Sequence, residues 1–167
     1  MSEIELREER PEDAEAIHDV TAAAFKGAAF SDGTEPGIPA ALRSDGALAL
    51  SLVAVRNDDV IGHVAFSPAL IGDDTGWLAV GPLSVHPDAQ RLGVGTMLME
   101  DGLTRARALG AEGCVLIGDP AYYRRFGFAS YDGLRYGSVP SANVMAMPFG
   151  RKRLHGAIRF HPAFGEH

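Results

Sequence analysis

The residues most able to do chemistry lie between Leu83 and Leu98, in the run Leu-Ser-Val-His-Pro-Asp-Ala-Gln-Arg-Leu-Gly-Val-Gly-Thr-Met-Leu. An apolar strand-like stretch ends, a Pro/Asp turn follows, and two glycines one residue apart, Gly93 and Gly95, stand where a helix begins. Backbone N–H groups at a helix start have no partner within the helix and point outward. The helix dipole favours negative charge there, and glycine lets a phosphate approach the backbone closely. The chemistry is that of an anion site needing no lysine. A dinucleotide fingerprint would require a third glycine where Leu98 stands, and a phosphate loop of the Gly-Lys-Ser/Thr kind would require a lysine. A helix whose start merely happens to be rich in glycine is the remaining alternative.

A second cluster is Gly118-Asp-Pro-Ala-Tyr-Tyr-Arg-Arg-Phe-Gly-Phe128. Tyr122 and Tyr123 carry hydroxyls that can donate a proton at neutral pH, since a phenol ordinarily titrates near pH 10. They could equally pack as plain aromatics with Phe126 and Phe128. Asp119 could act as a base, directly or through water, and Asp before Pro is also the ordinary cap and first-turn pair of a helix. Arg91 and Arg125 are candidates for outer phosphates or for solvated surface positions.

Gln90-Arg-Leu-Gly-Val-Gly95 resembles the Gln/Arg-x-x-Gly-x-Gly/Ala signature of the GNAT superfamily of N-acetyltransferases. Residues 118–128 resemble that family's later helix, in which a tyrosine precedes a Gly-Phe pair. The Asp-Pro-Ala-Tyr-Tyr run and His161-Pro-Ala-Phe164 also resemble an uncharacterised bacterial subgroup of predicted acetyltransferases. The resemblance covers essentially the whole chain and implies a single domain of α/β (α+β) class. Its central sheet would be mixed and mostly antiparallel, with helices on both faces. It implies acetyl-CoA as co-substrate and no metal, and transfer of the acetyl group to a primary amine by direct attack in a ternary complex. The backbone of Leu83, Ser84 and Val85 would hold the pantetheine arm. Gln90, Arg91, Leu92, Gly93, Val94, Gly95 and Thr96 would hold the pyrophosphate, with Arg125 beside them. Tyr123 would protonate the CoA sulfur, with Tyr122 as substitute. Many members carry a glutamate on the strand before the phosphate loop, whereas residues 77–85 here contain no carboxylate. Asp119, Ser84, His86 or a chain of waters would then serve as base. The missing carboxylate also leaves open a non-catalytic CoA-binding or regulatory module on the same fold.

The rest of the chain must position these residues. Residues 4–7 alternate like a short strand, and Pro11, Glu12 and Asp13 suit the start of a helix whose stripe is Ala14, Ile17, Thr21, Ala24 and Phe25. A loop over 29–37 and a short helix over 38–43 follow. Strands are expected over 48–56 and 60–70, joined by Asn57-Asp58-Asp59, then a turn over 72–76 and a third strand over 77–85. A long helix over about 93–109, with Met97, Leu98, Leu103, Ala106 and Leu109 facing inward, stops at Gly110. A buried strand over 113–117, a short helix from Pro120 to near Gly127, and short strand-like pieces complete the chain. Strands, then strand–helix–strand, then strands again describe a mixed sheet with helices on its faces.

Composition limits the partners. With 167 residues, 46% hydrophobic and 22% charged, the chain has the profile of one ordinary globular domain. Fifteen cations, of which only Lys26 and Lys152 are lysines, against 22 acids give a net charge of −7. That balance disfavours nucleic acid and anionic membrane, and with Asp32, Glu35, Asp73 and Asp74 it suggests a cationic small molecule or a protein amine as acceptor. The longest apolar run, 47–55, is far too short to span a bilayer. One cysteine, Cys114, rules out an intramolecular disulfide and reads as a core residue. With no apolar core of a leader near the N-terminus, a cytoplasmic monomer or homodimer is the expectation. His18, His63, His86, His155, His161 and His167 show no metal-ligand spacing. Arg151-Lys152-Arg153 reads as a solvated turn. The 20 glycines exceed the usual share of about 7%.

Overall fold

The computed structural model describes residues 3–28, 31–150 and 154–165. The basic run Arg151-Lys152-Arg153, His167 and the first two residues of the 29–37 loop lie outside them. The strands are β1 (Glu5–Glu8), β2 (Leu50–Arg56), β3 (Asp59–Ile71), β4 (Asp74–Val85), β5 (Gly113–Ile117), β6 (Ala129–Ser130), β7 (Leu134–Arg135), β8 (Val144–Pro148) and β9 (Gly156–Arg159). The helices are α1 (Ala14–Phe25), α2 (Ile38–Ser44), α3 (Val94–Ala108) and α4 (Pro120–Tyr123), with short 3₁₀ turns between elements. The sheet runs β1-β2-β3-β4-β5-β8-β6, while β9 joins the far end of β3 and pairs in parallel with β7. Apart from β7–β9, the parallel neighbours are β4 and β5; the other pairs are antiparallel. This is the expected mixed, mostly antiparallel sheet.

Local chemistry sets the meander. Asn57 and Asp58 both have positive φ and make a two-residue hairpin loop, so Asp59 belongs to β3. Asn and Asp tolerate that left-handed geometry, which matches the twist of the flanking strands. Gly72-Asp73 makes a second two-residue loop, shorter than the turn expected over 72–76. Pro11–Asp13 forms a 3₁₀ turn before α1, not its first helical turn.

α3 packs on one face of the sheet, setting Val94, Leu98, Met99, Leu103 and Ala106 against Leu52, Ala54, Val64, Phe66, Leu78 and Cys114. Met99 is fully buried and Met97 only partly. Leu109 does not face inward as expected: it is 60% exposed. It is the cap residue beyond the last helical position, and the chain reverses at Gly110 (φ 83°) immediately after it. α1 and α2 cover β3 and β4 from the opposite face, with Ile38 and Leu42 packed on Ala65. A further cluster under β7 and β9 centres on Trp77, Val115, Leu134, Val144 and Ile158. No helix among the described residues is long and apolar enough to cross a membrane.

One irregularity matters for the site. Val64 faces Leu83 and Phe66 faces Val80, so β4 carries an extra residue around Gly81-Pro82. Such a bulge bends and twists its strand. β4 accordingly pairs with β5 only through Trp77, Leu78 and Ala79, opposite Gly113, Cys114 and Val115, and beyond them the two strands part.

Candidate active site

The open edge of β4 leads into the glycine turn. Pro87–Ala89 makes a 3₁₀ turn in which the Asp88 amide donates to His86 Nδ1 (3.1 Å), and Gln90 Nε2 donates to the Val85 carbonyl (3.4 Å). Arg91 and Gly93 adopt left-handed conformations, with φ of 73° and 78°. For Gly93 that costs little, and it lets the chain swing into α3. The first helical hydrogen bond runs from the Met97 amide to the Gly93 carbonyl (3.0 Å). The amides of Val94, Gly95 and Thr96 are therefore the partnerless donors of the helix start.

These amides open into a cavity of about 650 Å³. Nine of the eleven residues expected to hold the cofactor line it: Leu83, Val85, Gln90, Arg91, Gly93, Val94, Gly95, Thr96 and Arg125. The other two do not. Ser84 is buried (1% exposed) on the opposite face of β4, and Leu92 projects to solvent (49% exposed). Arg125 donates to Thr96 Oγ1 (3.2 Å) and lies over the Tyr122 ring at 4.3 Å, fixing a guanidinium beside the helix start. At Gly95 a Cβ would sit 2.6 Å from the Tyr122 hydroxyl, so a larger residue there would have to displace that side chain. Glycine amides, a helix N-terminus and two arginines form a donor set suited to a pyrophosphate. The cavity also includes Ala24 and Phe25 at the end of α1, Ala28 just beyond it, and Ala89. In the sequence, Ala24 and Phe25 showed only as part of a helical stripe, and nothing distinguished a lining role from core packing.

The two tyrosines take different places. Tyr122 lines the cavity beside the start of α3, with its hydroxyl against Gly95. Tyr123 turns the other way and is half-buried. Its ring touches Gly118, at the end of β5, so closely that a Cβ on Gly118 would meet it at 2.4 Å, and it stands edge-on to Phe128. It thus sits beyond the end of β5, after that strand has parted from β4, and is not among the residues that line the cavity. Burial, with smaller contributions from Tyr122 and Asp119, pushes its hydroxyl up to about 12, so it stays protonated at neutral pH. Asp119 is exposed and does not line the cavity; its Oδ1 accepts the Ala121 amide (2.9 Å) as the cap of α4. Cys114 is buried in the core, and burial pushes its thiol up to about 12, which removes it as a nucleophile. No group of three or more metal-ligating side chains occurs among the described residues.

Comparison with known proteins agrees with this arrangement. A crystal structure of a GNAT family acetyltransferase from Brucella melitensis, in complex with acetyl-CoA, superposes with a TM-score of 0.86 at 44% identity, covering 97% of this chain and 98% of that one. The GNAT family N-acetyltransferase YhbS from Escherichia coli, in complex with CoA, superposes with a TM-score of 0.90 at 29% identity, over 99% and 94% of the two chains. In sequence, the uncharacterized N-acetyltransferase YhbS of Escherichia coli (strain K12) is 40% identical over 101 residues, 59% of this chain; the match spans 60% of the length of that relative. The model of the acetyltransferase (GNAT) family matches residues 14–128, which take in the glycine turn, the β4–β5 fork and both tyrosines, and the chain belongs to that family.

Proposed function

We propose that the chain is an N-acetyltransferase that moves the acetyl group of acetyl-CoA to a primary amine by direct attack in a ternary complex. The observation that carries this reading is the continuity of the cavity, from the partnerless amides of α3 along Leu83 and Val85 at the open edge of β4. The ligands of the Brucella melitensis and YhbS structures support it. The amides of Val94, Gly95 and Thr96, with Arg91 and Arg125, would hold the pyrophosphate. The open backbone of β4 would take the pantetheine arm as an added strand.

Bound acetyl-CoA supplies the activated acyl group; the chain supplies position and protons. Tyr122 lies too near the phosphate amides to reach a sulfur at the far end of the arm. Tyr123, at the fork, is the donor to the departing thiolate. Its raised affinity for the proton ensures that it enters the reaction loaded. The acceptor amine would approach from the side of α1, α2 and the C-terminal strands.

Acetyl-CoA consumption over a panel of amines tests this reading. Tyr123→Phe is expected to lower kcat by about 10²-fold or more, the usual worth of a positioned acid, with the acetyl-CoA KM little changed. Tyr122→Phe should act chiefly on that KM. Unchanged turnover in Tyr123→Phe would remove Tyr123 from the role. A wild-type protein that binds CoA and turns over no amine would leave a binding module.

A further inference from the structure

Past Val115, β5 has lost β4 as a neighbour, so Leu116 and Ile117 are held in the sheet from the β8 side alone. The last pair of that ladder is Ile117 opposite Val144, and the same register sets Gly118 opposite Asn143. Residues that face each other in a hydrogen-bonded antiparallel pair ordinarily exchange both backbone N–H···O bonds. Here the backbone makes one of the two: the Gly118 amide donates to the Asn143 carbonyl (3.0 Å). The Asn143 amide is turned back to the Pro140 carbonyl (2.9 Å) by the 3₁₀ turn Ser141–Asn143. Ser130 Oγ holds that turn through the Ala142 carbonyl (2.8 Å). The Asn143 side chain supplies the missing donor, its Nδ2 reaching the Gly118 carbonyl at 3.1 Å. A carbonyl only accepts, so the group facing it must carry a hydrogen; aspartate, of the same shape, would set acceptor against acceptor.

The Gly118 peptide is the seat of Tyr123. The next carbonyl, that of Asp119, accepts the amides of Tyr122 (3.1 Å) and Tyr123 (3.0 Å), and the Asp119 carboxylate caps α4. A single helical turn has little stability of its own, so α4 takes its place from this anchor. The Tyr123 ring then folds back onto Gly118. Gly118 has no left-handed φ, so its backbone makes no demand for glycine. The ring does, because a Cβ there would meet Tyr123 Cε2 at 2.4 Å and Cδ2 at 2.7 Å. Tyr122 and Phe128 stand edge-on to the same ring, with centroids at 4.9 and 6.1 Å.

We propose that Asn143 is a positioning residue for the proton donor: by completing the Gly118 pair it fixes the platform on which Tyr123 rests. This rests on the acetyl-transfer reading and on the part given there to Tyr123. Asn143 acts through Gly118 and the Tyr123 ring and exchanges no proton itself. It is not among the residues that line the cavity, so its loss should bear on the protonation step and not on cofactor binding.

Two measurements test it. In the protein without cofactor, nuclear Overhauser contacts between the Gly118 α-hydrogens and the Tyr123 ring are expected to be strong in wild type. They should weaken in Asn143→Ala and in the isosteric Asn143→Asp, which serves alone if the alanine variant does not fold. In kinetics, each substitution should cut kcat by about tenfold with the acetyl-CoA KM within about twofold of wild type. In a Tyr123→Phe background the same substitutions should cost less than about twofold, because the donor they position is gone. A merely structural loss would cost the same factor in both backgrounds, and that result overturns the proposal. Wild-type kcat or undiminished Overhauser contacts in a folded, CoA-binding variant overturn it as well, as does unchanged turnover in Tyr123→Phe. All of these leave acetyl transfer standing. A wild type that binds CoA and acetylates no amine overturns both.

Discussion

At the scale of single residues, charge is placed by burial and by partner. His63 shows it most clearly. Burial pushes its imidazole down to about 4, against the opposing pull of Glu9. The native state therefore refuses a proton that the unfolded chain binds near pH 6.5. The corresponding stability, of order 3 kcal/mol, is complete above pH 6.5 and is lost as pH falls toward 4. Glu9 and Asp13 act in the same direction at lower pH. Burial pushes the Glu9 carboxyl up, but hydrogen bonds from Arg43 and Ser51 outweigh it and leave it below the usual range. The Arg7 guanidinium holds Asp13 down likewise. Their stabilisation is present above the ordinary carboxylate range and disappears as pH drops through their lowered values. Urea midpoints should thus stay level from pH 8 to 7 and decline from about 6.5 to 4. His63→Gln should flatten that decline while leaving the steeper loss below pH 4. A wild-type-like slope in the variant would show that another group sets it.

At the scale of elements, the amide end of the cavity depends on how closely α3 lies on the sheet. Two glycines set that approach. A Cβ on Gly62 of β3 would meet Val94 Cγ1 at 2.7 Å and Leu98 Cδ1 at 3.0 Å, and one on Gly102 of α3 would meet the Phe66 ring at 2.6 Å. Alanine in mid-helix is ordinarily worth nearly 1 kcal/mol over glycine. At Gly102 the collision with a fully buried ring outweighs it. Both Gly62→Ala and Gly102→Ala are expected to destabilise by about 1–3 kcal/mol in denaturant melts, the ordinary cost of overpacking. Gly62→Ala should in addition weaken CoA binding, because it displaces the first turn that carries the free amides, whereas Gly102 lies two turns further on. Equal CoA affinity in the two variants would uncouple helix seating from the phosphate site. Sequence spacing made α3 and its glycine start legible. It could not show that Leu109 would point outward or that Met99 would be buried, since both depend on where the helix ends over the sheet.

At the scale of the whole molecule, a chain of net charge −7 is read as holding a polyanion through backbone donors and two local arginines. Saturating CoA, at about 100 times its Kd, should add about 2.7 kcal/mol, a shift of about 5–10 °C in Tm for a domain of this size. No shift would leave the glycine turn with a structural role alone. The sequence by itself determined the order of strands and helices, the glycine start of α3 and the residues of the turn that precedes it. Those features are local: hydrophobic period, turn residues and caps act over a few positions. Only the tertiary structure decided what happens across strands. It set the bulge at Gly81-Pro82 that parts β4 from β5, sent Tyr122 to the glycine turn and Tyr123 to Gly118 at the end of β5, and buried the Ser84 side chain away from the cavity. It also brought Glu9, Ser51 and His63, 54 positions apart from first to last, into one hydrogen-bonded row. Sheet register joins residues remote in the chain, and no spacing rule along a single sequence encodes which of them will face each other.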